Sequence, residues 1–411
     1  MNIVITDIDH ENLYPLSQTR PVWDIFYGAC RAYERVEKLL AGAHLCEAAV
    51  LYHVRSELHE LAREEHPDKK IIAEIPEDDT LFLSPFCVSV KGIGTDIPNR
   101  IFTVDGRFCA AYISAARAAA FDGSSIYFDR CGCDRAELTG KKPFLYLWEM
   151  INANGDAIRS DMSQRDRSAV RRLPETVAVV GNRDDAYVED DVRIDPYVVF
   201  DTTKGPVYVS SGCEILPFTR IEGPCFIGRD AVILGARVRE GCSIGEGCRI
   251  GGEVEDSGFY PYANKYHDGF IGHGCIGSFV NLGALCTNSD LRNDYSTVRV
   301  ILPNGPVDTG MRKVGCFIGD HAKCSIGTLI NTGTVIGPFA MTVQSGLMAR
   351  KHLPPFSVFM QNQLRVAEEE KIDSIIESAR TVMSRRNKVP SKAYENCIRQ
   401  LFYDTLRDGY T

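Results

Sequence analysis

The stretch NKYHDGFIGHG, residues 264–274, sets Asn264, Lys265 and His267 within four residues of one another. An imidazole has an ordinary pKa of about 6.5, so a histidine can take a proton at neutral pH and return it to a leaving group. A carboxylate beside the ring would fix its tautomer, and Asp268 or Glu255 can serve. For an isolated histidine the simpler alternative is a surface loop cap. His267 differs because it falls where a regular repeat breaks. Two further histidines, His273 in IGHG and His321 in GDHA, read as corner residues of that repeat. A zinc site joining His267, His273 and His321 is the competing possibility.

The element that must position these residues is a hexapeptide repeat. Aliphatic residues recur six apart at Val188, Ile194 and Phe200, then from Val209 through Ile215, Ile221 and Ile227 to Ile233. After a one-residue slip Val238, Ile244 and Ile250 continue the pattern, and Ile318, Cys324, Ile330, Ile336 and Thr342 resume it. A period of six is too short for a helix pair and is the signature of a parallel β-helix, three hexads closing one triangular coil. Cys213, Cys225, Cys242, Cys248 and Cys316 stand two residues before an aliphatic position and read as small buried apolar residues. Cys131 and Cys133 lack the second pair that a zinc site would need. Between Gly252 and Gly315 the hexads falter into long polar and aromatic excursions, which in a solenoid favour function.

The chain has 411 residues with 44% hydrophobic composition, enough for a sizeable core and more than one domain. A net charge of -9 argues against a general nucleic-acid binder. The start, MNIVITDIDHENL, reads as a first strand rather than a leader, and no run reaches the roughly 18 apolar residues of a membrane span. The expectation is a soluble, cytoplasmic protein.

The stretch GGEVEDSGFYPYANKYHDGFIGHGCIGSFVNLGA, followed by TNSDLRND and IGDHAKCSIGTLINTGTVIG, resembles the bifunctional N-acetylglucosamine-1-phosphate uridyltransferase/glucosamine-1-phosphate N-acetyltransferase family. LYPLSQTRPVWDIFYGA, NANGDAIRSD, DTTKGPVYV and VMSRRN are similar to a divergent bacterial branch with a shortened N-terminal domain. The resemblance implies a left-handed β-helix, a homotrimer, and acetyl transfer from acetyl-CoA with His267 as general base. It implies that Asn281, before LGA, lies near sugar and acyl carrier, and that Asn264 and Lys265 contact the sugar or its phosphate. Where the classical enzyme has a lysine after its VE pair, this chain reads VEDSGF, which leaves Lys265 or Arg292 to meet the phosphate. GALC for GAGT, and Asp290 for an asparagine, are further departures that bear on substrate identity.

Residues 1–175 lack hexads. Apolar runs such as NIVIT, AAVLYHV and TLFLSP alternate with helix-like segments at 30–41 and 111–121, which predicts an α/β domain with a largely parallel sheet. The resemblance implies a reduced nucleotidyltransferase that moves a nucleotidyl group from UTP or another NTP to a sugar 1-phosphate with Mg²⁺. Arg20 and Arg35 are the candidate cations for its phosphates. Asp156 and Asp161 are candidates for its metal, surface ion pairing being the simpler alternative. Relatives carry an asparagine–glycine element where this chain reads LFLSPFCVSV, so that activity is either retained or lost. Residues 176–360 form the β-helix. The tail, 361–411, has apolar residues at helical spacing, including Ile372, Ile375, Ala379 and Val382, then Ile398, Leu401 and Phe402, and predicts two packed helices. The leading expectation is a nucleotide-sugar biosynthetic enzyme; a regulatory sugar-nucleotide-binding assembly is the alternative.

Overall fold

The computed structural model describes residues 1–43, 48–165, 173–346 and 348–408. Its N-terminal part is a seven-stranded mixed sheet. The buried strand Asn2–Ile5 pairs in parallel with Ala49–His53 on one side and Thr80–Leu83 on the other. The outer strands Arg107–Ile113 and Arg100–Val104 form an antiparallel pair beyond Thr80–Leu83. The helix expected near 30–41 is Ala32–Ala41, with Val36 and Leu40 on its buried face. The segment 111–121 departs from expectation. Its first residues complete the strand Arg107–Ile113, and only Ala115–Ala118 is helical. Hydrogen-bonded neighbours on both sides of that strand outweigh the helical preference of an alanine-rich run.

The C-terminal part is a parallel β-helix. One face is a nine-stranded sheet, pairing Ala186–Val188, Val207–Val209, Cys225–Ile227, Cys242–Ile244 and their successors in parallel register. Each face of a coil points an aliphatic residue inward, together with the small residue two positions before it. Val188, Val209, Ile227, Ile244, Phe259, Ile276, Ile318 and Ile336 stack in this way from the first face. Every aliphatic position of the expected hexads is buried except Ile194, which is partly buried. The five cysteines of the preceding slot are fully buried, and burial in apolar surroundings holds their thiols neutral.

Chain corners impose left-handed backbone, and one corner is filled by a ladder of rings. Tyr262, Phe279, His321, Phe339 and Phe356 all have positive φ and stack in sequence at centroid separations of 4.8–5.1 Å. Against this ladder pack the tail helices Ile372–Ser384 and Lys392–Arg407, through Ile372, Ile376, Ala379, Ile398 and Phe402. Their buried face runs through Ile376 and Met383, one residue beyond the expected Ile375 and Val382, which stay partly exposed.

The excursion after Asn288 folds into an antiparallel hairpin, Arg299–Leu302 with Gly305–Asp308. Its Val298, Val300 and Leu302 share one cluster with Leu13, Tyr14 and Leu16. This insertion therefore docks the two parts of the chain on each other. The helices Leu147–Asn152 and Asn154–Ser163 do the same: Asn154 donates to Gly241 O and Ser243 Oγ, each at 2.8 Å. No helix among the described residues is long and apolar enough to cross a membrane.

Candidate active site

The break in the repeat has a physical origin. Asn264–Lys265 pairs with Arg249–Ile250 below and with Asn281 above, so Lys265 occupies the inward column directly over Ile250. A lysine thus fills a slot that aliphatic residues hold in neighbouring coils. Its side chain is 2% exposed, and its ammonium donates to Gly251 O at 2.7 Å and to His267 O at 2.9 Å. Burial lowers its pKa to about 8, so it remains charged at pH 7. Room for it comes from Gly252, at φ +68: a Cβ there would stand 2.9 Å from Lys265 Nζ and 2.7 Å from Gly269 O.

The loop pinned by this ammonium carries His267 outward. The residue is exposed, and its ring neighbours Tyr266 at 6.0 Å between centroids and, among the described residues, makes no hydrogen bond or ion pair. Beside it on the same face Asn264 Nδ2 donates to Asn281 Oδ1 at 2.8 Å. One free base and two amides therefore project from adjacent coils. Asp268 is exposed in the loop, its carbonyl accepting from Leu285 N at 2.8 Å. Glu255 does not orient the imidazole; Arg239 at 2.8 Å and Lys313 at 3.6 Å hold it elsewhere.

Several sequence expectations are corrected by these surroundings. Lys265 cannot meet a phosphate, because it lies inside the prism with carbonyl partners. Arg292 is ion-paired to Asp294 on the surface at 2.9 Å. Arg20 is buried against Asp320, which also accepts from Thr19 Oγ1 at 2.8 Å and from Ser278 N at 2.7 Å. That pair stitches the N-terminal part to the β-helix and commits the Arg20 guanidinium. Arg35 and Asp161, expected as phosphate cation and metal ligand, are each other's ion pair. Asp156 is exposed and bonded to Arg159 at 2.9 Å. The aspartates therefore do not fit an Mg²⁺ site.

His273 and His321 are corner residues with φ of 50° and 58°. His273 Nδ1 contacts Asp290 Oδ2 at 2.8 Å. His321 stacks between Phe279 and Phe339, and burial drives its pKa down to about 3. His321 Nε2 contacts Tyr394 Oη at 2.8 Å, so its ring is engaged within the ladder. Among the described residues, none of the three histidines shares a metal cluster with another.

Sequence reasoning missed a second cleft. The connections from Asn2–Ile5 lead one way across the sheet and those from Thr80–Leu83 the other, and ligands of open α/β sheets bind at such a reversal, beyond the strands' carboxyl ends. A cavity of about 210 Å³ lies there, lined by Ile8, Asp9, Ser84, Arg107, Ser125 and Arg135 among others. Ser125 donates to Asp9, while burial raises the Asp9 carboxyl. The legible signal was the polar run TDIDH directly after the first strand.

Residues 2–168 match the family described as sugar nucleotidyl transferase. The chain is similar to an uncharacterized acetyltransferase, YaiX, of Escherichia coli O6:K15:H31 (strain 536 / UPEC): 28% identical over 181 residues, 43% of this chain and 77% of that protein. It is 31% identical over 174 residues to a bifunctional sugar-1-phosphate nucleotidylyltransferase/acetyltransferase of Sulfurisphaera tokodaii, covering 40% of this chain and 39% of the other. To the bifunctional protein GlmU of Jannaschia sp. (strain CCS1) it is 30% identical over 163 residues, 37% of this chain and 32% of that one. The N-terminal part is therefore similar to sugar nucleotidyl transferases, and the chain is similar to proteins named as sugar-1-phosphate nucleotidylyltransferase/acetyltransferases. It spans about two fifths or less of the length of the Sulfurisphaera and Jannaschia relatives.

Proposed function

We propose that the β-helix transfers an acetyl group from acetyl-CoA to the amine of an amino-sugar 1-phosphate, glucosamine-1-phosphate in the first instance, with His267 as general base. The observation that carries this is the unpaired, exposed imidazole on a loop anchored from inside the prism, beside Asn264 and Asn281. In the reaction the amine nitrogen loses a proton to the imidazole and attacks the thioester carbon. A C–N bond forms and the C–S bond breaks, and the imidazolium returns the proton to the departing thiolate. Asn264 and Asn281 offer amide donors and acceptors to the sugar and the acyl carrier.

A homotrimer is the assembly this reading favours. Leu285, 60% exposed, stands beside the His267 loop with its N–H on Asp268 O, and several coils away Tyr197 and Phe218 stack 5.7 Å apart, 72% and 76% exposed. Such exposed apolar side chains suit a groove shared between protomers, where a pantetheine arm would lie.

The second activity is nucleotidyl transfer at the sheet's reversal point, with UTP as first substrate; the cleft beside Asp9, Ser84 and Arg107 favours it. Thiol release from acetyl-CoA in the presence of glucosamine-1-phosphate, and pyrophosphate release from UTP with the N-acetylated sugar phosphate, test the two reactions separately. A chain that binds a nucleotide sugar yet releases neither thiol nor pyrophosphate would be the regulatory assembly instead.

A further inference from the structure

A larger cavity, about 420 Å³, opens where the N-terminal part, the ring-filled corner of the β-helix and the tail helix Lys392–Arg407 meet. Its wall contains Asp24, Glu65 and His66, with one donor atom of each within 4.8 Å of the others. Among the described residues this is the only such group of three.

Two of the donors are buried and face each other. Asp24 is 4% exposed and His66 9% exposed, and among the described residues neither Asp24 Oδ1 nor His66 Nε2 makes a hydrogen bond of good geometry. The two atoms stand 3.2 Å apart as an ion pair. That separation is close to the edge of a tetrahedron with bonds of about 2.0 Å, roughly 3.3 Å, so one ion can bind both atoms. Their other contacts hold them in place. Arg31 binds the opposite carboxylate oxygen, Asp24 Oδ2, at 2.5 Å, which turns Oδ1 towards His66. The His66 ring is fixed edge-on by Trp23 and Tyr33, at centroid distances of 5.0 and 5.6 Å. Glu65, at the end of the helix His59–Glu65, supplies the third oxygen from the more open side. The other guanidinium of the cavity, Arg20, is committed to Asp320.

We propose that Asp24, Glu65 and His66 form a binding site for one divalent transition-metal ion, with Zn²⁺ the best match. One imidazole and two carboxylates select a borderline ion over Mg²⁺ or Ca²⁺, and the cavity leaves a fourth position for water. The ion would tie the end of the short 3-10 turn Val22–Asp24 to the end of the helix His59–Glu65, at the junction of the three parts of the chain. The site is separate from His267, and the inference does not depend on acetyl transfer.

The test uses the full chain stripped with chelator and titrated calorimetrically with ZnCl₂ and with MgCl₂. One Zn²⁺ per chain is expected at micromolar affinity or tighter, with no comparable Mg²⁺ binding and a higher thermal midpoint in zinc. Glu65→Gln, which leaves the packing of Asp24 and His66 intact, should weaken Zn²⁺ at least tenfold, and His66→Gln should remove the site. His59→Ala and Cys131→Ser/Cys133→Ser should leave it unchanged. Co²⁺ in place of zinc should show no sulfur-to-metal charge-transfer band. The inference is overturned if Glu65→Gln binds zinc as the wild type does, if the cysteine variant abolishes binding, or if cobalt reports thiolate ligation.

Discussion

Replacing Lys265 by methionine separates what this side chain does for the fold from what it does for His267. The native ammonium has its pKa lowered from 10.5 to about 8, a shift worth about 3 kcal/mol of unfavourable charge burial. Methionine removes that penalty and still fills the column above Ile250. It also leaves the carbonyls of Gly251 and His267 without their donor, at about 1–3 kcal/mol each. The two effects oppose one another, so stability should change by no more than about a 1 kcal/mol gain or a 3 kcal/mol loss. Catalysis has no such compensation. The loop loses its internal anchor, and misplacement of a reacting group by about 1 Å costs on the order of 100-fold.

The assay is steady-state thiol release from acetyl-CoA beside urea unfolding on the same preparations, with the loss expected in kcat rather than KM. Linkage gives a second readout. Between pH 8 and 10.5 the unfolded chain keeps the Lys265 proton that the folded chain has released, so this group makes the fold more stable as pH rises. Wild type should therefore gain stability relative to Lys265→Met across that window. A variant with wild-type kcat and normal stability would refute the anchoring role and leave Lys265 as filler.

Other perturbations have outcomes set by the same packing. His321 is neutral between two phenylalanines, whereas the unfolded chain binds a proton below about pH 6.5; its contribution to stability is lost as pH falls, at about 1.4 kcal/mol per pH unit. His321→Phe keeps the ladder, so between pH 6.5 and 5 it should lose about 2 kcal/mol less than wild type in unfolding experiments. Arg20→Met strands Asp320 as a buried charge and should cost about 3–5 kcal/mol, much of it recovered in Arg20→Met/Asp320→Leu. Gly252→Ala forces a Cβ against Gly269 O and Lys265 Nζ at positive φ; it should lower both stability and acetyl transfer, measured by thermal unfolding and thiol release.

The β-helix was legible because a six-residue period has one geometric solution, and its cysteines were legible because each stood in a slot already defined as interior. His267 was legible because its loop interrupts that period. Lys265 was misread for a related reason. Sequence pattern assigns a charged residue to the surface, and only the pairing of Asn264–Lys265 with Arg249–Ile250 shows that it points inward. The ion pairs Arg20–Asp320 and Arg35–Asp161 join residues 300 and 126 positions apart, a separation that no local pattern encodes. The same holds for Asp24 and the Glu65–His66 pair, which meet only once the sheet and its helices are assembled.

The most direct test of the account is acetyl transfer to glucosamine-1-phosphate by wild type and by His267→Ala, followed as free thiol. Turnover by the wild type is expected, with a loss of at least 100-fold in kcat for the variant and an unchanged unfolding transition, because the ring is exposed. Equal turnover by the two proteins, or none by the wild type, would contradict it.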